Sequence, residues 1–264
     1  MSLSDAEIER YARHLVLRQV GGAGQARLGN ARVLVIGAGG LGAPLLMYLA
    51  AAGVGTLGIV DDDIVALSNL QRQIIHDTQA IGTAKTASAS HTIARINPHV
   101  RVIAHEMRLT HDNARKLVSQ YDIIADGSDN FETRFRINDA CFFEKKTLVS
   151  GALAQFDGQL ATFKPHRTRD GGGHYPCYRC LFPEAPPPGA VQNCAEAGIL
   201  GAIAGVVGAL QATEVLKEIL DIGETLAGRL LIYDALGAQI RSVKLNADPA
   251  CALCGTKPTI AGVA

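Results

Sequence analysis

The stretch Ala31-Arg32-Val33-Leu34-Val35-Ile36-Gly37-Ala38-Gly39-Gly40-Leu41-Gly42 decides the fold. Its first six residues are mostly apolar and β-branched, the composition of a strand buried on both faces. Four glycines follow within six positions, in the pattern G-x-G-x-x-G. Glycines there let the chain turn tightly and bring its backbone close to a ligand. The apolar run from Leu41 to Gly53 then predicts a helix. A helix N-terminus behind a glycine turn offers free N–H groups and partial positive charge, which suits phosphate.

The same alternation continues on both sides. Ser4 and Glu7 form a capping box, so a helix is expected through Leu17, ended by Gly21 to Gly24. Leu57–Asp61 is a second strand, running into Asp61, Asp62 and Asp63. Helices are expected at 83–96, 112–119 and 130–144, and strands at 100–104, 122–125 and 147–150. Strands alternating with helices of this length mean βαβ units and a parallel sheet covered on both faces. After Ser150 the pattern changes. Residues 155–163 alternate like an antiparallel strand, with a turn at Asp157-Gly158. Residues 165–176 form a polar loop, 181–193 an irregular Pro-rich segment, 198–220 a long helix, and 230–233 and 240–245 two closing strands. The expected architecture is a Rossmann-like, doubly wound, mostly parallel α/β sheet with a C-terminal antiparallel extension. One domain spans 1–264, with a nucleotide-binding half over about 1–150 and a second half over about 151–264.

Composition narrows the function. Lys plus Arg is 25 and Asp plus Glu is 25, so the formal net charge is zero. That lacks the broad basic surface of a non-specific nucleic-acid binder. Met1 to Arg10 shows no secretory signal. The longest apolar run, Ala197 to Leu210, is shorter than the ~20 residues a membrane span needs. A cytoplasmic protein without nucleic-acid or membrane partners is expected. Its six cysteines then suit metal ligation or reactive thiols better than disulfides.

The glycine motif alone serves NAD as well as ATP, and Asp61, 19 residues beyond Gly42, suits the ribose of either. Its neighbours favour a triphosphate. Ser68-Asn69-Leu70-Gln71-Arg72 follows the aspartates, with Asn69 and Arg72 spaced to project together from a helical turn. Arg72 offers a planar, always-charged donor, and Lys85 a compact cation. Asp129, with Asn130, opens the helix after the fourth strand, where a carboxylate can hold Mg²⁺. Cations and a magnesium ligand around a glycine loop form a set for phosphoryl or nucleotidyl transfer.

Two C-x-x-C hooks, Cys177/Cys180 and Cys251/Cys254, are separated by 70 residues. Two hooks in a reduced compartment indicate a structural zinc site with four cysteine ligands, with a redox dithiol as the alternative. So long a separation would staple distant segments together. Cys141 is expected in the core. Cys194 ends the Pro-rich segment just before the long helix, where a thiol gains nucleophilicity.

Taken in order, these residues resemble the MoeB/ThiF/HesA family, relatives of the ubiquitin-activating enzymes. The resemblance runs from about Leu3 to Gly255. It is carried by Tyr11-Ala12-Arg13-His14, Gly37 to Gly42, Asp61 with Asp63, Leu67 to Gln73, Lys85, Asp129-Asn130, both hooks, and Cys194-Ala195-Glu196-Ala197-Gly198. It implies an adenylyltransferase that uses ATP and Mg²⁺ to activate the Gly-Gly carboxylate of a ubiquitin-like sulfur carrier, similar to MoaD or ThiS. The MoeB branch is nearest, through residues 67–73 and Cys177 to Leu181, and implies molybdenum-cofactor synthesis, with thiamine synthesis second. The resemblance implies that Gly37, Gly39, Gly40, Gly42, Asp61, Asp63, Ser68 to Arg72, Lys85, Asp129 and Asn130 bind the nucleotide. It also implies a homodimer in which Arg13 reaches the partner's ATP, and a catalytic part for Arg72, Asp129 and Cys194. Two departures stand out. Residues 166–176 form an enlarged loop, and no rhodanese-like domain follows, so a separate sulfurtransferase is expected.

Overall fold

The computed structural model describes residues 3–169, 171–187 and 198–263. Eight strands form one sheet in the order β3-β2-β1-β4-β5-β6-β7-β8. They are β1 (Arg32–Ile36), β2 (Thr56–Val60), β3 (Arg101–His105), β4 (Ile123–Asp126), β5 (Thr147–Ala154), β6 (Asp157–Phe163), β7 (Arg229–Asp234) and β8 (Gln239–Lys244). The first five pair in parallel and the last three extend the sheet antiparallel from β5. The helices are α1 (Asp5–Arg10), α2 (Ala12–Leu15), α3 (Gly21–Asn30), α4 (Gly42–Ala51), α5 (Lys85–Ile96), α6 (His111–Val118), α7 (Phe131–Phe143), α8 (Tyr178–Leu181) and α9 (Gly201–Leu220). None of the described helices is long and apolar enough to cross a membrane.

Side-chain alternation along the strands builds two cores. Val33 and Val35 face Leu45, Leu46 and Leu49 of α4, Ile93 of α5 and Val215 of α9. Leu34 and Ile36 face the other side, where Leu117 of α6 and Phe135 and Ile137 of α7 pack. The sheet is thus covered on both sides, as its apolar strands require. The chain winds from β1 outward to β3, then crosses back to β4 on the other side of β1. The carboxyl ends of β1 and β4 therefore diverge into a crevice, the usual ligand position in such sheets.

Two local expectations are corrected. Gly21 to Gly24 do not end a helix; they open α3. The helix is held by burial of Gln25 and Leu28, with Gln25 Nε2 donating to the Ala52 carbonyl at 2.9 Å. Packing outweighs the poor helix propensity of three glycines. The β5–β6 turn falls at Gln155-Phe156, since Ala154 pairs with Asp157. Asp157-Gly158 lies inside β6, where Gly158 has no room for a side chain beneath Val207 of α9. The loop over 166–176 folds back on itself, with Thr168 bridged to His174.

Candidate active site and metal centre

A cavity of about 450 Å³ opens at the carboxyl ends of β1, β2 and β4. Its wall includes Gly37, Gly39, Gly40, Asp61, Asp63, Arg72, Lys85, Asp129 and Asn130. The fold therefore gathers residues spread over more than 90 positions. Gly42, Ser68, Asn69, Leu70 and Gln71 are not part of this wall. Gly42 serves the turn itself, because a Cβ there would strike the Gly37 carbonyl, and Gly37 has φ +89°. Asn69 is spent on the short 67–69 turn, its Oδ1 accepting from Ala66 N at 3.1 Å. Arg13 lies exposed on α2, outside the chain's own cavity. Cys194 and residues 188–193 of the Pro-rich segment lie outside the described residues.

The glycine turn is held by a full set of backbone contacts. Gly37 N donates to the Val60 carbonyl (2.8 Å) and Ala38 N to Asp61 Oδ2 (2.8 Å). The Ala38 carbonyl meets His76 Nε2 (3.0 Å), and the Gly39 carbonyl accepts from Ala43 N (2.9 Å). The N–H groups of Gly39, Gly40 and Leu41 have no hydrogen-bond partner among the described residues. Three unpaired donors at the start of α4 are an anion cradle.

Charges line the rest. Lys85 is buried, and its Nζ donates to Asp63 Oδ2 at 2.8 Å. Asp61 also accepts from Asp63 N at 2.9 Å. Burial pushes the Asp61 carboxyl upward, while the Lys85 ammonium and the two N–H donors pull it back. The aliphatic part of Arg72 packs near Gly40, and its Nη1 donates to the Ser68 carbonyl (3.0 Å). Asp129 projects from the loop before α7. The N-cap of α7 is Asn130, whose Oδ1 accepts from Thr133 N at 2.9 Å. Asp129 is thus not needed to start the helix, and its carboxylate is free to serve a ligand.

Several supporting residues were missed in the sequence. Asp126, wholly buried, accepts from Ser128 N (2.9 Å), Ser128 Oγ (2.7 Å) and Ser150 Oγ (2.9 Å). Arg134 lines the cavity and donates from Nη2 to the Ser128 carbonyl (2.8 Å). Together they fix the loop that carries Asp129. Arg134 had a legible signal: a cation in the first turn of a helix opposes the helix dipole and needs another reason to be there. His76 had none.

The four hook cysteines converge. Their sulfurs lie within 4.8 Å of one another. The separations are 3.4 Å for Cys180–Cys254, 3.6 Å for Cys177–Cys251 and 4.0 Å for Cys177–Cys180. A tetrahedral zinc with Zn–S of about 2.3 Å needs sulfurs roughly 3.8 Å apart. The residues fit that group, and an all-sulfur set leaves no open position for chemistry. Hydrogen bonds within the cluster, that with Cys177 foremost, draw the Cys180 thiol down. The first hook is also clamped to α7. Asn138 Oδ1 accepts from Tyr178 N (2.8 Å), and Asp139 binds Arg179 through both oxygens at 2.8 and 2.7 Å. Asp139 is wholly buried. Asp139→Ala should leave a buried guanidinium uncompensated and cost about 3–5 kcal/mol, measurable by urea unfolding.

Fold and site together define a nucleotide-binding α/β protein with a cluster of four cysteines that fits a metal ion. The chain belongs to the ThiF family, whose profile matches residues 11–253, and it is an adenylyltransferase of that E1-like class. It is 50% identical to the sulfur carrier protein adenylyltransferase of Thermus thermophilus, over 98% of this chain and 95% of that one. It is 49% identical to the SAMP-activating enzyme E1 of Haloferax volcanii, covering 97% and 92%. It is 53% identical to a probable adenylyltransferase/sulfurtransferase MoeZ of Mycobacterium tuberculosis over 94% of this chain, which spans only 62% of that longer protein. Among solved structures, E. coli MccB with ATP superposes with a TM-score of 0.77 at 22% identity, covering 93% of this chain and 74% of that one.

Proposed function

We propose that the protein adenylates the C-terminal carboxylate of a ubiquitin-like, Gly-Gly-ended sulfur carrier of the MoaD type, in molybdenum-cofactor synthesis. The observation that carries the reading is the cavity itself: unpaired N–H groups of the glycine turn face the same space as Asp61, Arg72, Lys85 and Asp129. The relatives' names for sulfur carrier activation support the substrate class.

In this reading Asp61 takes the ribose hydroxyls. The N–H groups of Gly39, Gly40 and Leu41 take phosphate oxygens, with Arg72 and Lys85. Lys85 shares its remaining donors between Asp63 and the phosphates. Asp129 holds Mg²⁺ on the triphosphate. The carrier carboxylate attacks the α-phosphorus, forming the acyl-phosphate bond as the α–β bridging bond breaks and pyrophosphate leaves. The carboxylate is already ionised, so no general base is required. Positioning and charge stabilisation supply the rate. The working unit is a cytoplasmic homodimer, with Arg13 of the partner subunit completing each site. Zinc, held by Cys177, Cys180, Cys251 and Cys254, stabilises the fold. The covalent role for Cys194 is tested by Cys194→Ala, which should adenylate normally and fail only in sulfur transfer.

Carrier-dependent exchange of labelled pyrophosphate into ATP tests the reading, with MoaD-like and ThiS-like carriers in parallel. Exchange with the MoaD-like protein alone, lost when its last glycine is removed, is the expected result. Exchange only with the ThiS-like carrier would move the protein to thiamine synthesis. No exchange with either would overturn the proposed substrate.

A further inference from the structure

His76 is buried, 6% exposed, between the glycine turn and α5. Its Nε2 lies 3.0 Å from the Ala38 carbonyl and its Nδ1 2.9 Å from Ser88 Oγ. A carbonyl can only accept, so Nε2 carries the proton. Nδ1 is then the acceptor, and the Ser88 hydroxyl donates to it. The ring is neutral, and burial, the largest influence on it, favours that form.

The consequence lies in the peptide unit that His76 holds. The Ala38 carbonyl and the Gly39 N–H belong to one trans peptide, so they point in opposite directions. Fixing the carbonyl toward His76 aims the Gly39 N–H the other way, toward the cavity. The preceding peptide is fixed independently by Ala38 N to Asp61. Among the described residues, His76 is the only side chain bonded to a carbonyl of residues 37–41. It also ties the turn to α5, whose first residue is Lys85. One ring therefore registers the backbone donors against the lysine that faces the same phosphates.

We infer that His76, braced by Ser88, is a positioning residue that presets the Gly39 N–H for the nucleotide's phosphates. The inference rests on the ATP reading above, and wild-type binding of MgATP is its control. His76 touches no substrate and takes no proton from it.

The test compares His76→Phe, which keeps the bulk but loses the donor, with His76→Gln, which restores an N–H donor near the Nε2 position. Calorimetry with MgATP should show a Kd about tenfold to a hundredfold weaker for His76→Phe. His76→Gln should return most of it. Adenosine, which has no phosphate, should bind both variants as it binds wild type in competition assays. In pyrophosphate exchange the KM for ATP should rise while the KM for the carrier holds. Ser88→Ala, which removes the brace but not the ring, should weaken MgATP in the same direction by less. It carries the test if His76→Phe does not fold. Unchanged MgATP affinity in a folded His76→Phe or in Ser88→Ala would overturn the inference. So would an equal loss for adenosine and ATP, which is the mark of general loosening. If wild type itself binds no MgATP, the ATP reading falls, and the latch with it.

Discussion

Asp129→Ala is expected to lower pyrophosphate exchange by at least about a hundredfold while leaving the fold intact. The side chain is exposed, and its sole polar contact among the described residues is a 3.4 Å approach by Asn130 Nδ2. The helix it precedes is capped by Asn130, not by Asp129. Removing the carboxylate should therefore change stability by no more than about 0.5 kcal/mol, as for an ordinary surface site. Its catalytic cost is a different matter. A triphosphate brought beside Lys85 and Arg72 still carries surplus negative charge. A divalent metal held by Asp129 would offset that charge and favour departure of pyrophosphate. Without its ligand the metal must be held by phosphates and water alone. Asp129→Asn keeps an acceptor oxygen but loses the charge, so it should fall between the two. Raising Mg²⁺ should recover part of its activity. Full turnover in Asp129→Ala would remove the magnesium role from this residue and leave only its place in the wall.

The glycine turn was legible because every step has a local cause. A β-branched run makes a buried strand, and a turn without side chains follows it. Asp61 was legible for the same reason, as the residue just past the next strand. The order of the strands around β1 brings these ends together, and βαβ handedness fixes that order. Lys85 and Asp129 follow once the alternation is known, since Lys85 opens α5 and Asp129 sits just before the cap of α7.

What could not be read depends on distant contacts. His76 looks like any polar residue of a connecting segment until the fold sets it under Ala38, 38 positions away. Asp126 ends β4 much as Asp61 follows β2, yet its carboxylate turns inward to Ser128 and Ser150 and shapes the loop instead of lining the cavity. The stretch 68–71 stands apart from the cavity wall. It lies beside Arg72 in sequence, but its short turn spends Asn69 on its own backbone and sends only Arg72 and Gln73 into the wall. Arg13 is exposed on α2 and takes no part in the wall of the chain's own cavity, so its proposed role could not be read from this chain alone.

Cys177→Ser is expected to strip the metal and lower the thermal midpoint by about 10 °C or more. The hooks join the segment after β6 to residues 251–254, whose surroundings also pack through Leu253 and Ile260 with Phe142 and Phe143, and through Val263 in the core that holds Phe135 and Ile137. The sulfur geometry also separates zinc from the redox alternative. The two shortest contacts, 3.4 and 3.6 Å, run between hooks, while Cys177 and Cys180 of one hook stand 4.0 Å apart. A dithiol built for exchange brings the two sulfurs of its own hook together. Four mutually close sulfurs drawn from both hooks are instead the set that one zinc ion would need. The effect should not stop at the metal. Asn138 and Asp139 grip the first hook from one part of α7, and the same helix begins beside Asp129 at the cavity. Freed of the hook, α7 should exchange its amide protons faster over 131–143, and MgATP affinity should fall even though no nucleotide ligand was altered. Hydrogen exchange read against zinc content tests this coupling. A zinc-free variant with α7 as protected as in wild type would confine the metal to the C-terminal end. Metal-free wild-type protein with one hook oxidised would favour the dithiol.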